Sequence, residues 1–428
     1  MKIAIIADDL TGACDTGAQL VNYDIKVSVA IQNQNRFNAD AIIYNTDSRS
    51  MEEKEAYLKV KEVCQEIKNE QFDIIYKKID STMRGNIGSE LNALYDEFSP
   101  DFVFITPAHP NNGRVVRNGV HYLNGIELSE TEVSKDPKTP VYEANISKMI
   151  HRASGKQVKH ISYEKLRKGD EFLLNLLANW KKQGINYITI DATVEEDLKR
   201  ILNILDEKYS IVLCGSAGLI NYLPEKYGYK MMKGKNELSV SNSPALFVIG
   251  SISRTGRMQL NHLINNTDVV RVEMDAVEII KGGAAKEHEL KRIFSVIKLA
   301  LKKNNSVALC SSSNVESTKA IGLEKGISAI EISNEISNEL GDLTIEVIKE
   351  NNIKNLFLTG GDTAQQVFVK LGIESYRLVG QLELGVPIGK ANNSSLLNTI
   401  TKAGNFGTIE VMTKAFHFFN NQRKKIRN

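Results

Sequence analysis

The first residues of the chain join an apolar run to a pair of carboxylates. Residues 3–6 are all apolar, as in a strand buried on both faces of a parallel sheet, and the run ends at Asp8 and Asp9. Residues 11–12 then offer turn and N-cap chemistry, and residues 13–20 have helical spacing with small side chains. The pattern predicts a strand, a tight loop and a helix, with two acids at the end of the strand.

The same alternation continues through the first half of the chain. Apolar runs that end in polar clusters alternate with amphipathic helical patterns. The predicted strands are residues 41–46, 72–80, 101–106, 187–191 and 211–214, and the predicted helices are residues 51–69 and 87–97. Strands that alternate with helices in this way form a mostly parallel sheet with helices on both faces.

A polar stretch at residues 233–244, which contains Gly234 and Pro244, interrupts the alternation, and we place a linker between two domains at residues 236–244. The N-terminal domain is then residues 1–235 and the C-terminal domain residues 245–428. The second domain has predicted strands at residues 245–249, 269–273, 306–310 and 355–358, long helices near 285–303 and 328–351, a β-rich region at 376–411 and a packed terminal helix over 414–428. We expect two α/β domains, each with a mostly parallel sheet flanked by helices, and an active site in the cleft between them.

Composition and charge exclude several classes of protein. The 428 residues are 42% hydrophobic and 25% charged, and 54 basic against 52 acidic residues give a net charge of +2. This balance argues against a dedicated nucleic-acid binder. The cysteines form no C-x-x-C pair, so neither a zinc site nor a disulfide framework is predicted. We see no export signal and no membrane-length apolar stretch, and we expect a cytoplasmic protein without membrane or nucleic-acid partners, with homo-oligomerisation left open.

Cations and acids follow the predicted strands of the first half. These polar residues are Asp9, Arg49, Lys78, Asp80, Ser81, Arg84, His109, Asn112 and Arg114. Parallel strands place their carboxyl ends at one edge of a sheet, where ligands bind. Guanidinium and ammonium groups pair with a carboxylate, and acids accept hydrogen bonds from hydroxyls, so the mixture favours a small polyhydroxy acid.

Plainer interpretations of some of these residues also exist. Lys78 and Asp80 could pair with each other across a loop. Asp8 could cap the first helix, and Asp9 is the better functional candidate of the two acids. His109 and His121 are expected to serve loop hydrogen bonds rather than acid–base chemistry.

The second half contains glycine turns that suit phosphate. Residues 250–256, 359–364 and 402–407 each place glycines after a strand, and the first two open a helix. Glycine lets the backbone approach phosphate oxygens closely, and free N–H groups at a helix start favour negative charge. Lys402, beside two glycines, is suited to neutralising charge near a nucleotide. Neither a Walker loop nor a G-x-G-x-x-G fingerprint is present.

A small-molecule kinase is the simplest function that combines the two halves. Phosphoryl transfer needs positioning, neutralisation of phosphate charge and a carboxylate that takes the hydroxyl proton. Two other classes stay open on the residues alone. One is a lyase or aldolase that uses Lys78 as a Schiff base, and the other is a non-catalytic sugar-acid sensor.

Four motifs resemble those of the four-carbon acid sugar kinase family. They are ADDLTGA at residues 7–13, KKIDSTMRGN at 77–86, TGGDTA at 359–364 and KAGNFG at 402–407. The resemblance spans both halves of the chain. It implies a two-domain enzyme that uses ATP and Mg²⁺ to phosphorylate the terminal hydroxyl of D-threonate, D-erythronate or 3-oxo-tetronate. The N-terminal domain of such an enzyme holds the sugar acid, and its C-terminal domain holds the nucleotide.

The resemblance also implies roles for particular residues. Substrate contacts carried over by the likeness are Asp9, Arg49, Lys78, Asp80, Ser81 and Arg84, and nucleotide contacts are Ser251, Gly360, Gly361, Asp362, Thr363 and Gly404. Asp9 is expected to orient or deprotonate the attacking hydroxyl, and Asp362 to serve Mg²⁺ or the γ-phosphate, with the two roles reversible. The metal ligands stay unassigned. Met83 replaces the usual Leu, and residues 389–393 depart from the glycine-rich pattern of the family.

Overall fold

The computed structural model describes residues 1–31, 38–136, 138–205, 208–232, 241, 243–250, 253–312, 314–392 and 397–424. The chain forms two compact units. One consists of Met1–Val27 and Phe37–Lys233, and the other of Ser28–Arg36 and Gly234–Asn428. The stretch that begins at Ser28 thus groups with the C-terminal unit. The predicted division, with a single linker at residues 236–244, places this stretch in the N-terminal domain.

The first part of the chain alternates strands with helices. Its elements are β1 (Ile3–Ala7), α1 (Leu10–Val21), β2 (Val27–Ala30), β3 (Ala41–Asn45), α2 (Glu53–Lys68), β4 (Ile74–Lys78), α3 (Ile87–Phe98), β5 (Phe102–Thr106), β6 (Arg114–Arg117), β7 (Val120–Leu123), β8 (Ile126–Glu127), α4 (Ile146–Ser154), β9 (Val158–Ile161), α5 (Tyr163–Leu166), α6 (Asp170–Lys182), β10 (Tyr187–Ile190), α7 (Glu195–Asn203), β11 (Ile211–Gly215), α8 (Ala217–Ile220) and α9 (Leu223–Lys226).

The sheet of the N-terminal unit has the strand order β3-β1-β4-β11-β5-β10-β9, and all of these strands pair in parallel. This confirms the predicted α/β class. Strands β6, β7 and β8 form a separate antiparallel sheet, which the sequence pattern did not predict. Ala7 at the end of β1 is level with Asn45 of β3 and Lys78 of β4, so the residues after these three strands share one edge of the sheet.

Helix α1 begins earlier than the sequence predicts. Asp9 is its N-cap, and the Asp9 carboxylate accepts hydrogen bonds from the Gly12 amide at 3.0 Å and the Thr11 hydroxyl at 2.6 Å. Because this acid satisfies one of the first free N–H groups, the helix starts at Leu10, and Thr11 and Gly12 lie inside its first turn. The cap is therefore Asp9 rather than Asp8.

The C-terminal unit repeats the alternation and ends in antiparallel strands. Its elements are β12 (Ala245–Ile249), α10 (Arg254–Asn266), β13 (Val270–Met274), α11 (Ala276–Lys281), α12 (Gly283–Lys302), β14 (Val307–Ser311), α13 (Val315–Glu324), α14 (Ala329–Asn351), β15 (Asn355–Thr359), α15 (Gly361–Lys370), β16 (Ser375–Glu383), β17 (Val386–Asn392), β18 (Asn398–Lys402) and α16 (Val411–Lys424). The strand order is β13-β14-β12-β15-β18-β17-β16-β2, parallel from β13 to β18. β17 then pairs antiparallel with both β18 and β16.

An aromatic cluster lies at the core of the C-terminal unit. The rings of Phe247 and Phe357 are 5.2 Å apart, and Phe419 of α16 packs edge-on against Phe247 at 6.4 Å. Buried aromatic side chains contribute large apolar areas, which fixes the terminal helix on the sheet. Among the described residues, no helix is both long enough and apolar enough to cross a bilayer.

Candidate functional site

The ends of β1 and β3 bring two acids and one arginine together in the N-terminal unit. Arg49 donates from Nε to Asp8 Oδ2 at 2.8 Å and from Nη2 to Asp8 Oδ1 at 3.0 Å. The same Nη2 donates to Asp9 Oδ1 at 2.6 Å. A two-pronged guanidinium–carboxylate pair fixes both groups in orientation as well as in distance.

The charge states of Asp8 and Arg49 follow from their burial and from their pairing with each other. Burial alone would raise the pKa of Asp8, but Arg49 outweighs it, and the pKa of Asp8 lies below its ordinary value. Burial would lower the pKa of Arg49, yet Asp8 and Asp9 raise it well above the ordinary value. Both partners therefore stay charged over the working pH range, and the Arg49 fork is a fixed part of the site.

The loop after β4 carries a second arginine–carboxylate pair. Arg84 Nε donates to Asp80 Oδ2 at 2.7 Å, and its Nη1 donates to Asp136 Oδ2 at 3.0 Å. The Thr82 hydroxyl also donates to Asp80. Burial would raise the pKa of Asp80, but Arg84 and then Arg49 bring it well below the ordinary value. Asp80 thus pairs with Arg84, and the plainer interpretation of a Lys78–Asp80 pair is wrong.

Lys78 is the last residue of β4, and its charge acts on both Asp8 and Asp15. Its side chain is buried, with 4% of the residue exposed, and Nζ donates to the Ile79 carbonyl at 3.0 Å. No carboxylate oxygen of a described residue lies within 4.0 Å of Nζ. A Cβ at Gly12 would stand 2.4 Å from Asp9 Oδ1 and 2.7 Å from Lys78 Nζ, so glycine is needed for these groups to approach α1. A buried lysine with no carboxylate in direct contact marks a place for an anion.

Asp15 belongs to the site and was missed by the sequence analysis. It lies one helical turn beyond Thr11 and Gly12, on the face of α1 that carries those residues, and this spacing was the available signal. Its Oδ1 accepts a hydrogen bond from Gln19 at 3.4 Å. Burial raises the pKa of Asp15 to about 6, opposed by Lys78, and Asp9 adds to the rise. Asp15 is therefore a carboxylate that exchanges a proton near neutral pH.

Both histidines near the site make loop hydrogen bonds. His109 Nδ1 is 3.2 Å from the Asn112 amide nitrogen, and burial, with Arg114 next, lowers the pKa of His109 to about 4. His121 Nε2 is 2.7 Å from the Ser81 carbonyl oxygen, which ties the small antiparallel sheet to the loop after β4. The positions of Asn112 and Arg114 are linked, because the Arg114 guanidinium donates to the Asn112 carbonyl.

In the C-terminal unit, the three glycine turns converge. The Ser253 hydroxyl donates to the Gly404 carbonyl at 3.1 Å, and the Gly360 amide donates to the Lys402 carbonyl at 3.2 Å. A Cβ at Gly250 would stand 1.8 Å from Thr363 Oγ1, so only glycine allows this approach. The N-termini of α10 and α15 are thus brought to one place, as an anionic ligand requires.

The predicted nucleotide residues take different positions at this junction. Gly360 caps α15, Gly361 is its first residue, and Asp362 is exposed in the first turn. Thr363 is buried at the Gly250 contact. Ser251 lies outside the described residues.

Lys402 is a second buried lysine without a carboxylate partner. Only 1% of the residue is exposed, and Nζ donates to the Gly404 carbonyl at 2.9 Å and to the Thr359 hydroxyl at 3.4 Å. Burial lowers the pKa of Lys402 to about 7. In the part of the chain that the structure describes, no carboxylate oxygen lies within 4.0 Å of Lys402 Nζ, the distance that an ion pair requires.

The side chains of the described residues can be examined for their ability to bind a metal ion. No group of three or more His, Cys, Asp or Glu side chains among them could hold one. Mg²⁺ keeps several waters and is bound through one or two carboxylates together with substrate phosphates, so it does not need such a group. The exposed Asp362 at the convergent turns fits that requirement.

Comparisons with known proteins agree with this division of the chain. Residues 3–223 match a family model described as a sugar-binding N-terminal domain, and residues 246–412 match one described as a nucleotide-binding C-terminal domain. A sugar-binding domain joined to a nucleotide-binding domain is the arrangement of a carbohydrate kinase.

Curated relatives identify the family. A D-threonate kinase from Salmonella typhimurium is 33% identical over 431 residues, covering 98% of this chain and 98% of that protein. A D-erythronate kinase from Heliobacterium modesticaldum is 26% identical and covers 95% of this chain and 94% of its own length. A 3-oxo-tetronate kinase from Haemophilus influenzae is 27% identical, with 95% and 97% covered. The chain belongs to the four-carbon acid sugar kinase family, and it is therefore an enzyme that transfers a phosphoryl group.

A solved structure shares the fold over nearly the whole chain. A crystal structure of a Haemophilus influenzae protein superimposes with a TM-score of 0.73 at 26% identity and covers 97% of this chain and 100% of that one. The relatives support neither the lyase or aldolase alternative nor the non-catalytic sensor.

Proposed function

We propose that this enzyme transfers the γ-phosphoryl group of ATP to the terminal hydroxyl of a four-carbon sugar acid. The sugar acid is assigned to the domain predicted at residues 1–235 and the nucleotide to the domain at 245–428. One observation carries the proposal: each unit contains a buried lysine, Lys78 or Lys402, with no carboxylate partner among the described residues. A sugar acid supplies one anion and a nucleotide supplies the other.

The sugar acid matches the charges around Lys78. We assign its carboxylate to the Lys78 ammonium, because the guanidinium groups of Arg49 and Arg84 are already paired with acids. The paired acids can still accept hydrogen bonds from hydroxyls, since a carboxylate has about four lone-pair sites. Asp9 is the acid assigned to the attacking hydroxyl. The relatives suggest D-threonate, D-erythronate and 3-oxo-tetronate as candidate substrates.

In this proposal two carboxylates have separate roles toward the attacking hydroxyl: Asp9 orients it, and Asp15 accepts its proton. Asp9 is fixed by Arg49 and by its cap contacts, which suits orientation of a hydroxyl. Asp15 binds a proton near neutral pH, which suits acceptance of the proton that the hydroxyl loses as the phosphoryl group arrives.

The glycine turns are assigned to the triphosphate. The backbone N–H groups of Gly361 and Gly404 are the proposed donors to phosphate oxygens, the Gly360 N–H holds the turn through its bond to the Lys402 carbonyl, and Lys402 neutralises charge beside them. Bound Mg²⁺ would neutralise developing charge on the phosphoryl group, and Asp362 is the residue that would hold it. Cytoplasmic location remains part of the proposal.

An ADP-release screen over tetronates tests the proposal. We expect ADP to form with at least one four-carbon sugar acid and the phosphate to be on the terminal hydroxyl by NMR. Lys78→Met should raise KM for that acid by about 100-fold, since loss of a buried charge partner costs about 3 kcal/mol. Lys54→Met, on the exposed face of α2, is the matched control and should leave KM unchanged. Absence of ADP release with every tetronate would contradict the proposal.

The acid limb of the pH profile tests the role of Asp15. Its pKa of about 6 is raised above the ordinary 3.8, so the proton-accepting form is lost as the pH falls through 6. We expect kcat to fall about tenfold per pH unit below that value. Asp15→Asn should have a low kcat and no acid limb at this pH. An unchanged limb in Asp15→Asn would assign the titration to another group.

A further inference from the structure

Lys402 differs from an ordinary phosphate-binding lysine in what surrounds it. Among the described residues, its Nζ hydrogen-bonds to a backbone carbonyl, that of Gly404, and to the hydroxyl of Thr359. Such acceptors stabilise an ammonium less than a carboxylate does, and removal from water disfavours the charged form. The amine is therefore poorly compensated while the nucleotide site is empty.

The helix ends around Lys402 act in the same direction. The Gly360 amide at the start of α15 donates to the Lys402 carbonyl, and Ser253 at the start of α10 donates to Gly404. Helix N-termini carry partial positive charge, which favours an anion and disfavours a cation. The junction thus favours negative charge, which the phosphates of a ligand would bring.

Charged groups on the neighbouring elements do not compensate the amine. They are Arg254 and Arg257 of α10, Asp362 and Lys370 of α15 and Lys390 of β17, and Lys370, at the far end of α15, pairs with Asp342. The Asp362 oxygens lie beyond 4.0 Å of Lys402 Nζ, and among the described residues burial is what lowers the Lys402 pKa. No charge on the described part of these elements sets the protonation of Lys402.

We infer that Lys402 is largely uncharged in the nucleotide-free enzyme above neutral pH and takes up one proton when the nucleotide phosphates bind. The inference rests on the proposed nucleotide site and adds to it a coupling between ATP binding and pH. The proton comes from solvent and forms an N–H bond on Nζ, giving an ammonium that pairs with a phosphate oxygen. Nucleotide affinity then falls as the pH rises, because fewer empty sites carry the proton.

Titration calorimetry with ADP measures the coupling directly. At pH 8, in buffers of different ionisation enthalpy, we expect uptake of about 0.9 proton per ADP bound for a free-state pKa near 7. Affinity should fall about 50-fold between pH 7 and pH 9. The measurement on the unmodified enzyme needs no variant, so it does not depend on how a substitution folds.

Two variants and one control separate Lys402 from other titrating groups. Lys402→Met should bind ADP about 100-fold more weakly and without this proton uptake. Any proton uptake that remains in this variant belongs to the nucleotide itself. Lys402→Arg, which is always charged, should lose the pH dependence. Lys349→Met, exposed on α14, should behave as the unmodified enzyme does.

Three results distinguish the inference from the proposed function. ADP binding with proton uptake that disappears in Lys402→Met supports the inference. ADP binding without proton uptake, and with equal affinity in Lys402→Met, overturns it and leaves the kinase assignment intact. No binding of ADP or ATP by the unmodified enzyme overturns both.

Discussion

Asp9→Asn is expected to lower kcat by about 1,000-fold while leaving ATP affinity unchanged. The Asp9 carboxylate accepts from Arg49 Nη2 at 2.6 Å and from the Gly12 amide at 3.0 Å, so it is held at the edge where the attacking hydroxyl is proposed to bind. An amide has no negative charge to polarise that hydroxyl. With its oxygen kept on the Gly12 amide and Arg49 Nη2, its NH₂ group stands in place of Oδ2 beside the Thr11 hydroxyl. The substitution therefore removes the negative charge beside the attacking hydroxyl.

The choice of Asn makes this result specific to chemistry. Asn is as good an N-cap as Asp, so α1 keeps its first-turn hydrogen bond and the fold should survive. Turnover is measured by ADP release, and nucleotide binding by calorimetry on the same sample. Asp24→Asn, at an exposed position after α1, is the control and should retain full turnover. Near-normal kcat in Asp9→Asn would remove Asp9 from the mechanism.

The sequence predicted the elements whose signals are local. Residues 3–6 form a strand with every side chain buried, and the helix predicted at 87–97 is Ile87–Phe98. Short and half-buried strands carry no such signal. Strand β9, whose first three residues are only partly buried, and the small β6–β8 sheet have mixed apolar and polar positions, and neither was predicted.

The sequence predicted which edge of the sheet carries the candidate site, but it did not predict which side chains pair with each other there. Parallel pairing brings Asp9, Arg49 and Lys78 to one edge whatever the side chains do, so their shared location follows from the alternation. Partners depend on tertiary packing. The contact of Arg84 with Asp136 joins residues 52 apart along the chain, and no local pattern announces it.

Lys77 is the clearest case of a hidden pair. The KK doublet at 77–78 belongs to a motif of the family, and only Lys78 was predicted as a site residue. Adjacent residues of a strand point to opposite faces of the sheet. Lys77 is fully buried, and its Nζ lies 2.7 Å from Glu90 Oε2 of α3. Burial would lower the pKa of Lys77, but Glu90 raises it above the ordinary value, so Lys77 stays an ammonium inside the unit.

Lys77→Met is expected to destabilise the N-terminal unit by about 3–5 kcal/mol. The substitution leaves the Glu90 carboxylate buried, with the Ser48 hydroxyl at 2.5 Å as its one hydrogen-bond donor among the described residues. The single tryptophan of the chain, Trp180, is buried in this unit, so urea unfolding followed by its fluorescence reports on this unit. A loss below about 1 kcal/mol would mean that Glu90 is neutral or reaches water.

The double variant Lys77→Met with Glu90→Leu separates stability from positioning. Replacement of a whole buried ion pair by apolar side chains is often neutral, so most of the lost stability should return. Activity should not return with it, because Glu90 also accepts from Ser48, and Ser48 directly precedes Arg49. We expect a higher KM for the sugar acid in the double variant at near-normal stability. Full recovery of both quantities would instead limit the pair to a structural role, with Arg49 held by Asp8 and Asp9 alone.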